Sequence, residues 1–153
     1  MLNRGRELQG ETAVPLEATL LIADGDAESC GRCRNFFAQC GFKVETAASG
    51  LECLAKLREV EPDVLIVDLD MPWGGGDGVI ALTKERRDLA TVPAVLVVGA
   101  APRSVLADRV GVPRSNCYQK PVRLERLLDA VGLVIALAEE RNSIDAMEGR
   151  RVF

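Results

Sequence analysis

Four side chains that could do chemistry follow short segments of this sequence that are typical of strands. They are Asp24 after the first segment, Asp68 and Asp70 after the third, and Lys120 after the fifth. The chain contains no histidine, which excludes Ser-His-Asp and Cys-His catalysis, zinc sites built on imidazole, and histidine phosphotransfer from this chain. Any chemistry therefore depends on carboxylates, lysine, thiols or backbone groups.

The apolar runs alternate with segments of helical spacing. A continuous apolar run too short for a helix is typical of a strand buried on both faces, whereas apolar residues three and four apart are typical of a helix. Asp26 is placed to cap the first helix and Gly41 to end it. Five strand-then-helix units predict an α/β fold, a parallel sheet with helices on both faces. The predicted strands lie at 19–23, 43–47, 64–67, 94–98 and 117–119, and the predicted helices at 27–40, 50–60, 78–87, 105–110 and 124–138.

The ends of the predicted strands identify the candidate site. Ligands of open parallel sheets bind outside the carboxyl ends of the strands, at the point where the strand order reverses. In a doubly wound, flavodoxin-like sheet of order 2-1-3-4-5, the first and third strands are neighbours there. Asp24 then lies beside Asp68, with Lys120 nearby, so two acids and a lysine converge at one edge.

Length and composition indicate one globular domain with a mildly acidic balance. The 153 residues carry a net charge of −4, and 48% of them are hydrophobic. The acidity argues against a nucleic-acid-binding surface, and no apolar run approaches the roughly 20 residues that span a membrane. Five cysteines, an odd number, make a poor disulfide framework. We therefore expect a cytoplasmic protein with a polar leader at 1–17, one domain at 18–140 and a loose tail at 141–153.

Over about residues 18–138, the chain resembles the receiver domain of two-component response regulators. The segments that carry the resemblance are LLIAD at 20–24, PDVLIVDLDMP at 62–72, Asp77-Gly78 and Lys120-Pro121. The resemblance implies that Asp68 accepts a phosphoryl group from a sensor histidine kinase or a phosphotransfer protein, and that Lys120 contacts that group. It further implies that Asp24, Asp68 and the main-chain carbonyl of Asp70 bind Mg²⁺.

The resemblance also implies a signalling module rather than an enzyme. We expect no output domain after residue 138, so that the signal passes by protein–protein contact. Physical chemistry favours the same set of residues, because a carboxylate that attacks an anionic phosphoryl donor needs a hard cation to neutralise both groups. A lysine on a long stem then places one positive charge on the phosphoryl oxygens.

The sequence departs from the family pattern at Gly25, where receivers usually carry a second acid beside Asp24. One charge about 4 Å away is worth about 4 kcal/mol at an effective dielectric near 20, and water replaces much of it. We therefore expect Mg²⁺ binding weakened by about one to two orders of magnitude rather than abolished. Asp26 could supply the missing carboxylate, or it could cap the first helix.

Further departures affect the switch residues of the family. Val98 stands where the family has a Ser or Thr, and its side chain cannot donate a hydrogen bond. Cys117 takes the aromatic position of the fifth strand and Tyr118 comes one residue later, so Tyr118 should face the opposite way. The glycine-rich segment at 73–76 makes the loop after Pro72 about two residues longer than the loop of the family. The extra residues either serve a partner contact or are a simple insertion.

Several alternatives stay open at this point. One is a pseudo-receiver that binds a partner without phosphorylation. Cys30 and Cys33 form a Cys-x-x-Cys motif, which indicates either a thiol oxidoreductase or ordinary core packing. On the last helix, Leu133 and Leu137 lie off the main apolar stripe, and they either widen the core-facing surface or support a homodimer through the last two helices. We expect no nucleic-acid or membrane partner.

Overall fold

The computed structural model of the chain describes residues 18–72, 75–85 and 93–148. The predicted leader at 1–17 lies outside the described residues, as do Trp73, Gly74 and the end of the predicted tail. Strands and helices alternate through the described part of the chain. In order, the elements are β1 (Thr19–Ala23), α1 (Ala27–Gln39), β2 (Lys43–Ala47), α2 (Gly50–Val60), β3 (Val64–Asp68), α3 (Gly75–Glu85), β4 (Ala94–Gly99), α4 (Arg103–Val110), a 3₁₀ turn (Arg114–Asn116), β5 (Cys117–Gln119) and α5 (Leu124–Glu148).

The strands form one parallel sheet in the order β2-β1-β3-β4-β5. This order confirms the flavodoxin-like α/β fold that the sequence predicts. β1 and β3 are neighbours, with Ala23 paired to Val67 at the carboxyl end of the two strands. Because the chain continues from these residues into Asp24 and Asp68, the two acids emerge at the same edge of the sheet.

The sheet separates two apolar cores, because the side chains of a strand alternate between its faces. α1 and α5 cover one face and contribute Phe37 and Val131 to its core. α2, α3 and α4 cover the other face with Leu57, Ile80 and Leu106. β3 is buried along its whole length, as expected of a central parallel strand. Each such buried apolar side chain is worth about 1.5–3 kcal/mol, so packing fixes the edge that carries the acids.

Side-chain caps set the starts of the first two helices. Asp26 Oδ2 accepts a hydrogen bond from the Ser29 N–H, so Asp26 caps α1, which is one of the two roles considered for it. At α2, Ser49 accepts a hydrogen bond from the Glu52 N–H, and Glu52 accepts one from the Ala48 N–H. These caps position each helix relative to the loop that precedes it.

Part of the glycine-rich segment, which the sequence predicts as a loop at 73–76, is helical. Gly75 and Gly76 belong to the first turn of α3. A β-carbon at Gly76 would lie 2.7 Å from the main-chain oxygen of Asp68. The missing side chain therefore lets α3 begin directly against the end of β3, so this glycine serves close packing.

α5 is longer than the sequence pattern predicts. The apolar stripe indicates an end near Ala138, but the helix continues to Glu148, so most of the predicted loose tail is helical. The segment 139–148 begins with the strong helix formers Glu-Glu-Arg, and neither glycine nor proline interrupts it before Gly149. None of the described helices is long and apolar enough to cross a membrane.

Candidate functional site

Asp24, Asp68 and Lys120 meet at the carboxyl ends of β1, β3 and β5. The Lys120 Nζ atom lies 2.9 Å from Asp68 Oδ2 and 3.7 Å from Asp24 Oδ2. Both aspartates are buried, whereas 33% of the Lys120 side chain is exposed. The peptide bond between Lys120 and Pro121 is cis. The structure thus brings together the two acids and the lysine that the sequence places at one edge.

Two hydrogen bonds and one ion pair orient the Asp24 carboxylate. Oδ1 accepts a hydrogen bond from the Asp26 N–H at 2.9 Å, and Oδ2 accepts one from the Ser29 hydroxyl at 3.2 Å besides facing Lys120. Sequence reasoning missed Ser29. Its place three residues after the capping Asp26 is the signal that could have found it, since that spacing sets Ser29 in the first turn of α1, beside the end of β1.

Asp68 and Asp70 direct their carboxylates to different partners. Asp68 Oδ1 accepts a hydrogen bond from the Asp70 N–H at 2.9 Å, while Oδ2 faces Lys120. The Asp70 side chain turns to the loop after β4, where its Oδ2 accepts a hydrogen bond from the Ala100 N–H at 3.0 Å. The Asp70 carboxylate is therefore engaged away from the Asp24 side, and its main-chain carbonyl is left as the predicted ligand.

The surroundings of the site raise the pKa of Asp24, which opposes its ionisation, and raise the pKa of Lys120, which favours its protonated form. Burial raises the pKa of Asp24 above its ordinary value, and the Asp68 charge acts in the same direction against the Asp26 backbone N–H and Lys120. Burial alone would lower the pKa of Lys120. The hydrogen bond to Asp68 and the charges of Asp24, Asp68 and Asp70 outweigh it, so the pKa of Lys120 is raised. Lys120 is therefore protonated at neutral pH.

The two carboxylates form a donor set that fits Mg²⁺. This ion favours hard oxygen ligands and is usually held by one or two carboxylates together with several waters. Asp24 and Asp68 supply two buried carboxylates that share a single lysine. Across residues 18–72, 75–85 and 93–148, no three acidic or thiol side chains form a metal cluster. A cation here would accordingly be held by two carboxylates, with a main-chain carbonyl and water as further ligands.

Gly25 lies where two loops pack closely. A β-carbon at position 25 would lie 2.6 Å from Pro72 Cδ, which excludes a side chain there unless the proline moves. Pro72 is itself tied to α2, because its carbonyl oxygen accepts a hydrogen bond from the Gly50 N–H at 3.3 Å. The missing second acid is thus coupled to the contact between the β1–α1 and β3–α3 loops.

A cavity of about 470 Å³ adjoins the site on the side of α1 and α5. Asp24 and Lys120 line one part of it, and apolar side chains including Val98 and Leu127 line another. Val98 pairs with Asp68 in the sheet register, and it belongs to the core on the α1 and α5 face. Its isopropyl group offers no hydrogen bond to a group held at Asp68.

Cys117 and Tyr118 face opposite sides of β5, as strand alternation predicts. Cys117 is buried in the core that α4 covers, and Tyr118 packs against the core of the α5 face. The guanidinium groups of Arg103 and Arg126 lie 5.7 and 5.4 Å from the centroid of the Tyr118 ring. The Tyr118 hydroxyl donates to the Ser115 carbonyl oxygen, so the ring is held on the α5 side.

The Cys-x-x-Cys thiols have the surroundings of core residues. Cys30 and Cys33 are free and buried. Burial raises the pKa of Cys33 to about 12 and also raises the pKa of Cys30. A redox pair needs a lowered thiol pKa and an accessible sulfur. The structure therefore favours core packing over a thiol oxidoreductase for this motif.

Comparisons with known proteins agree on one family. The response regulator receiver domain family model matches residues 20–132. The chain is 32% identical over 124 residues to transcriptional regulatory protein PrrA of Mycobacterium tuberculosis, covering 81% of this chain and 51% of that protein. It is 25% identical over 101 residues to polar-differentiation response regulator DivK of Brucella ovis, covering 64% of this chain and 80% of that protein.

The solved structures agree with the sequence relatives. The structure of chemotaxis response regulator CheY4 of Vibrio cholerae superposes with a TM-score of 0.67 at 26% identity, covering 77% of this chain and 98% of that one. The chain spans about half the length of the PrrA proteins that it matches. The span 20–132 contains Asp24, Asp68, Asp70 and Lys120, so the converging residues all lie inside the matched unit.

Proposed function

The chain belongs to the response regulator receiver domain family, and from that premise we propose that Asp68 is its phosphoryl-accepting residue. Receiver domains are signalling modules of two-component systems, and phosphorylation of an aspartate is general among them. The observation that carries the proposal is the position of the Lys120 ammonium, 2.9 Å from the buried Asp68 carboxylate and 3.7 Å from that of Asp24. A carboxylate beside a fixed cation suits attack on an anionic phosphoryl donor.

The proposed reaction uses the side chains of this site directly. An oxygen of Asp68 forms a bond to phosphorus as the bond between phosphorus and a histidine nitrogen of the donor protein breaks, and the bonding electrons leave with that imidazole. Lys120 shifts its ammonium from Asp68 to the transferred phosphoryl oxygens, and its raised pKa keeps it protonated at neutral pH. Since the donor supplies the histidine, the absence of histidine from this chain fits the acceptor role.

Mg²⁺ completes the proposed site. Asp24, Asp68 and the main-chain carbonyl of Asp70 would hold the ion, which would supply charge neutralisation between the carboxylate nucleophile and the phosphoryl donor. Because Gly25 contributes no acid, binding is weaker by about one to two orders of magnitude than with two adjacent acids. The close contact between Gly25 and Pro72 supports a loop adapted to a single acid.

The proposed partners follow from the family and from the surface of the chain. A sensor histidine kinase or a phosphotransfer protein donates the phosphoryl group, and the domain acts by protein–protein contact rather than as an enzyme. Leu133 and Leu137 of α5 are 60% and 48% exposed, which supports a homodimer through the last two helices. The unpaired cysteines and the net charge of −4 support a cytoplasmic location without a nucleic-acid or membrane partner.

Phosphorylation by acetyl phosphate in the presence of Mg²⁺ tests the proposal. The wild-type chain should gain the mass of one phosphoryl group, and Asp68→Asn should gain none. Asp63→Asn is the matched control, because the Asp63 carboxylate accepts a hydrogen bond from the Thr19 N–H at the amino end of β3, away from the site. This control should be phosphorylated as the wild type is.

Trp73 provides a second measurement, because it is the single tryptophan and lies five residues after Asp68. We expect Mg²⁺ to change its fluorescence and Asp68→Asn to suppress that change. A wild-type chain that shows neither a mass gain nor a Mg²⁺ response would overturn the proposal. That result would favour the pseudo-receiver, a module that binds its partner without phosphorylation, for which Val98 offers a structural reason.

A further inference from the structure

The Asp70 carboxylate links the proposed acceptor to the loop that leads into α4. The Asp70 N–H donates to Asp68 Oδ1 at 2.9 Å, and Asp70 Oδ2 accepts a hydrogen bond from the Ala100 N–H at 3.0 Å. Two successive hydrogen bonds therefore run from Asp68 through Asp70 to Ala100. The first of them ends on the carboxylate that the proposed phosphorylation alters.

No side-chain hydrogen bond links Asp68 directly to its neighbour at the end of β4. Val98 is the register partner of Asp68 on β4, but its buried side chain carries no donor or acceptor. A phosphoryl group on Asp68 consequently has no side-chain hydrogen bond to gain from the end of β4. The Asp70 side chain spans the same gap from the other strand, since it leaves the end of β3 and contacts the backbone after β4.

β5 also anchors the loop that Asp70 holds, because Gln119 Nε2 donates to the Ala100 carbonyl oxygen at 3.0 Å. The loop enters α4 through Pro102, which caps the helix without a side-chain hydrogen bond.

α4 has only eight residues. Arg103 in its first turn donates from Nε to the Cys117 carbonyl oxygen at 3.0 Å, and Arg109 forms a two-bond ion pair with Asp77 of α3, at 2.9 and 3.0 Å. A change in the hydrogen bond at the Ala100 N–H therefore acts at the entry to α4, while β5 still holds the Ala100 carbonyl oxygen.

We propose that Asp70 is the positioning residue that transmits phosphorylation of Asp68 to α4, by releasing the Ala100 N–H. This inference rests on the proposed function of Asp68. Phosphorylation takes the charge at Asp68 from one negative to about two, so about one negative charge is added near the Asp70 carboxylate. Repulsion between like charges drives that carboxylate away from the site, and the hydrogen bond that it accepts from Ala100 breaks.

The surrounding charges agree with this placement of Asp70. The hydrogen bond to Asp77 raises the pKa of Arg109, and the charge of Asp70 adds to the effect. The same Asp70 charge helps to raise the pKa of Lys120. Asp70 thus interacts with the lysine of the proposed site and with the arginine of α4, so its displacement changes the field at both.

Hydrogen exchange of the Ala100 amide tests the inference on the full chain. The probe is beryllofluoride with Mg²⁺, and fluorine NMR measures how much is bound in each sample, so that every response is normalised to occupancy. In the wild type, occupancy should accelerate exchange at Ala100 by about tenfold, the effect of losing one hydrogen bond to a charged acceptor. In Asp70→Ala, exchange should be fast before addition and unchanged by it.

One further variant separates the hydrogen bond from the charge, and a second is the control. Asp70→Asn keeps an acceptor for the Ala100 N–H but carries no charge, so exchange should stay slow with and without the probe. Asp63→Ala removes the matched carboxylate that accepts from the Thr19 N–H, and it should respond at Ala100 as the wild type does.

The possible outcomes distinguish this inference from the function on which it rests. Bound beryllofluoride without acceleration at Ala100 in the wild type would overturn the inference alone. A normal response per bound probe in Asp70→Ala or in Asp70→Asn would do the same, and the second variant serves if the first does not fold. A wild-type chain that binds no beryllofluoride would overturn the proposed function of Asp68 and this inference together.

Discussion

Gly25 and Pro72 meet so closely that a β-carbon at position 25 would lie 2.6 Å from the proline Cδ. The contact joins the loop after β1 to the loop after β3, and it lies directly beside the buried carboxylate of Asp24. Any side chain at position 25, where the family pattern has a second acid, would therefore have to displace the proline ring. Metal affinity and loop packing are linked at this one residue.

Replacement of Gly25 should destabilise the protein. We expect Gly25→Ala and Gly25→Asp to lower the free energy of unfolding by about 1–3 kcal/mol, because the new β-carbon must displace the ring of Pro72. Gly31→Ala is the matched control, since nothing lies within 4 Å of a β-carbon there, and alanine in a helix should add about 0.5–1 kcal/mol. Urea unfolding measures both. A Gly25→Ala variant as stable as the wild type would contradict the packing argument.

Removal of the Lys120 charge should leave Asp24 and Asp68 to repel each other. We expect Lys120→Met to lower the free energy of unfolding by about 2 kcal/mol at neutral pH, with part of the loss recovered when Mg²⁺ is added. Lys56→Met, which breaks an exposed pair with Glu45, should change stability by less than about 1 kcal/mol. Urea titrations with and without Mg²⁺ give the comparison. Equal effects of the two variants would show that Lys120 does not neutralise the site.

The raised pKa of Asp24 gives its contribution to stability a definite pH dependence. Above the ordinary value of 3.8 and up to the raised folded value, the folded state holds more protons than the unfolded state. Stability from this group therefore falls as pH rises through that window. Asp24→Asn should flatten this part of the curve and add on the order of 1 kcal/mol at pH 7, while weakening Mg²⁺ binding.

The control for Asp24 is the exposed Asp129, whose replacement by asparagine should leave the pH profile unchanged. Unfolding free energies of both variants at several pH values from about 4 to 7 provide the measurement. If Asp24→Asn follows the wild-type profile across that range, then burial of the carboxylate does not oppose its ionisation.

The buried thiols should be unreactive in the folded protein. Burial raises the pKa values of Cys33 and Cys53 to about 12, so at pH 8 only about one such thiol in ten thousand is a thiolate. Iodoacetamide should therefore label the partly exposed Cys40 first and reach the other two only after denaturation. Peptide mass mapping gives the order. Rapid native labelling of Cys33, or a disulfide to Cys30, would revive the redox interpretation.

The proposed homodimer depends on the exposed apolar residues of α5. We expect the sedimentation coefficient of the wild type to rise with concentration and the double variant Leu133→Glu with Leu137→Glu to remain monomeric. Leu51→Glu is the matched control, because Leu51 is 68% exposed but lies on α2, and it should associate as the wild type does. A wild-type chain that stays monomeric at every concentration would remove the support that α5 gives to this interface.

Sequence periodicity was sufficient for the sheet and for the residues at its edge. The apolar run at 19–23 predicted β1 with the observed bounds, because burial on both faces selects a continuous apolar strand. The more polar segments β2 and β5 were also predicted with the observed bounds. The carboxyl ends of the predicted β1, β3 and β5 placed Asp24, Asp68 and Lys120 together once the strand order was assumed. The order itself was confirmed by the observed pairing of β1 with β3.

The end of α5 shows where periodicity stops being informative. An apolar stripe marks the part of a helix that faces a core, and that stripe ends near Ala138. The next ten residues are mostly exposed, so no apolar stripe predicts that they are helical. The signal that does extend the helix is the lack of a glycine or proline before Gly149, which is weaker than a buried stripe.

The sequence by itself determined the fold class, the sheet edge that carries Asp24, Asp68 and Lys120, and the missing groups at Gly25 and Val98, because residue types and their order along the chain are local information. Only the tertiary structure decided that Pro72 closes the space over Gly25 and that the Asp70 carboxylate holds the Ala100 N–H. Both are contacts between loops that are distant in the chain. Their existence depends on how strands and helices pack, and no spacing within one segment encodes that.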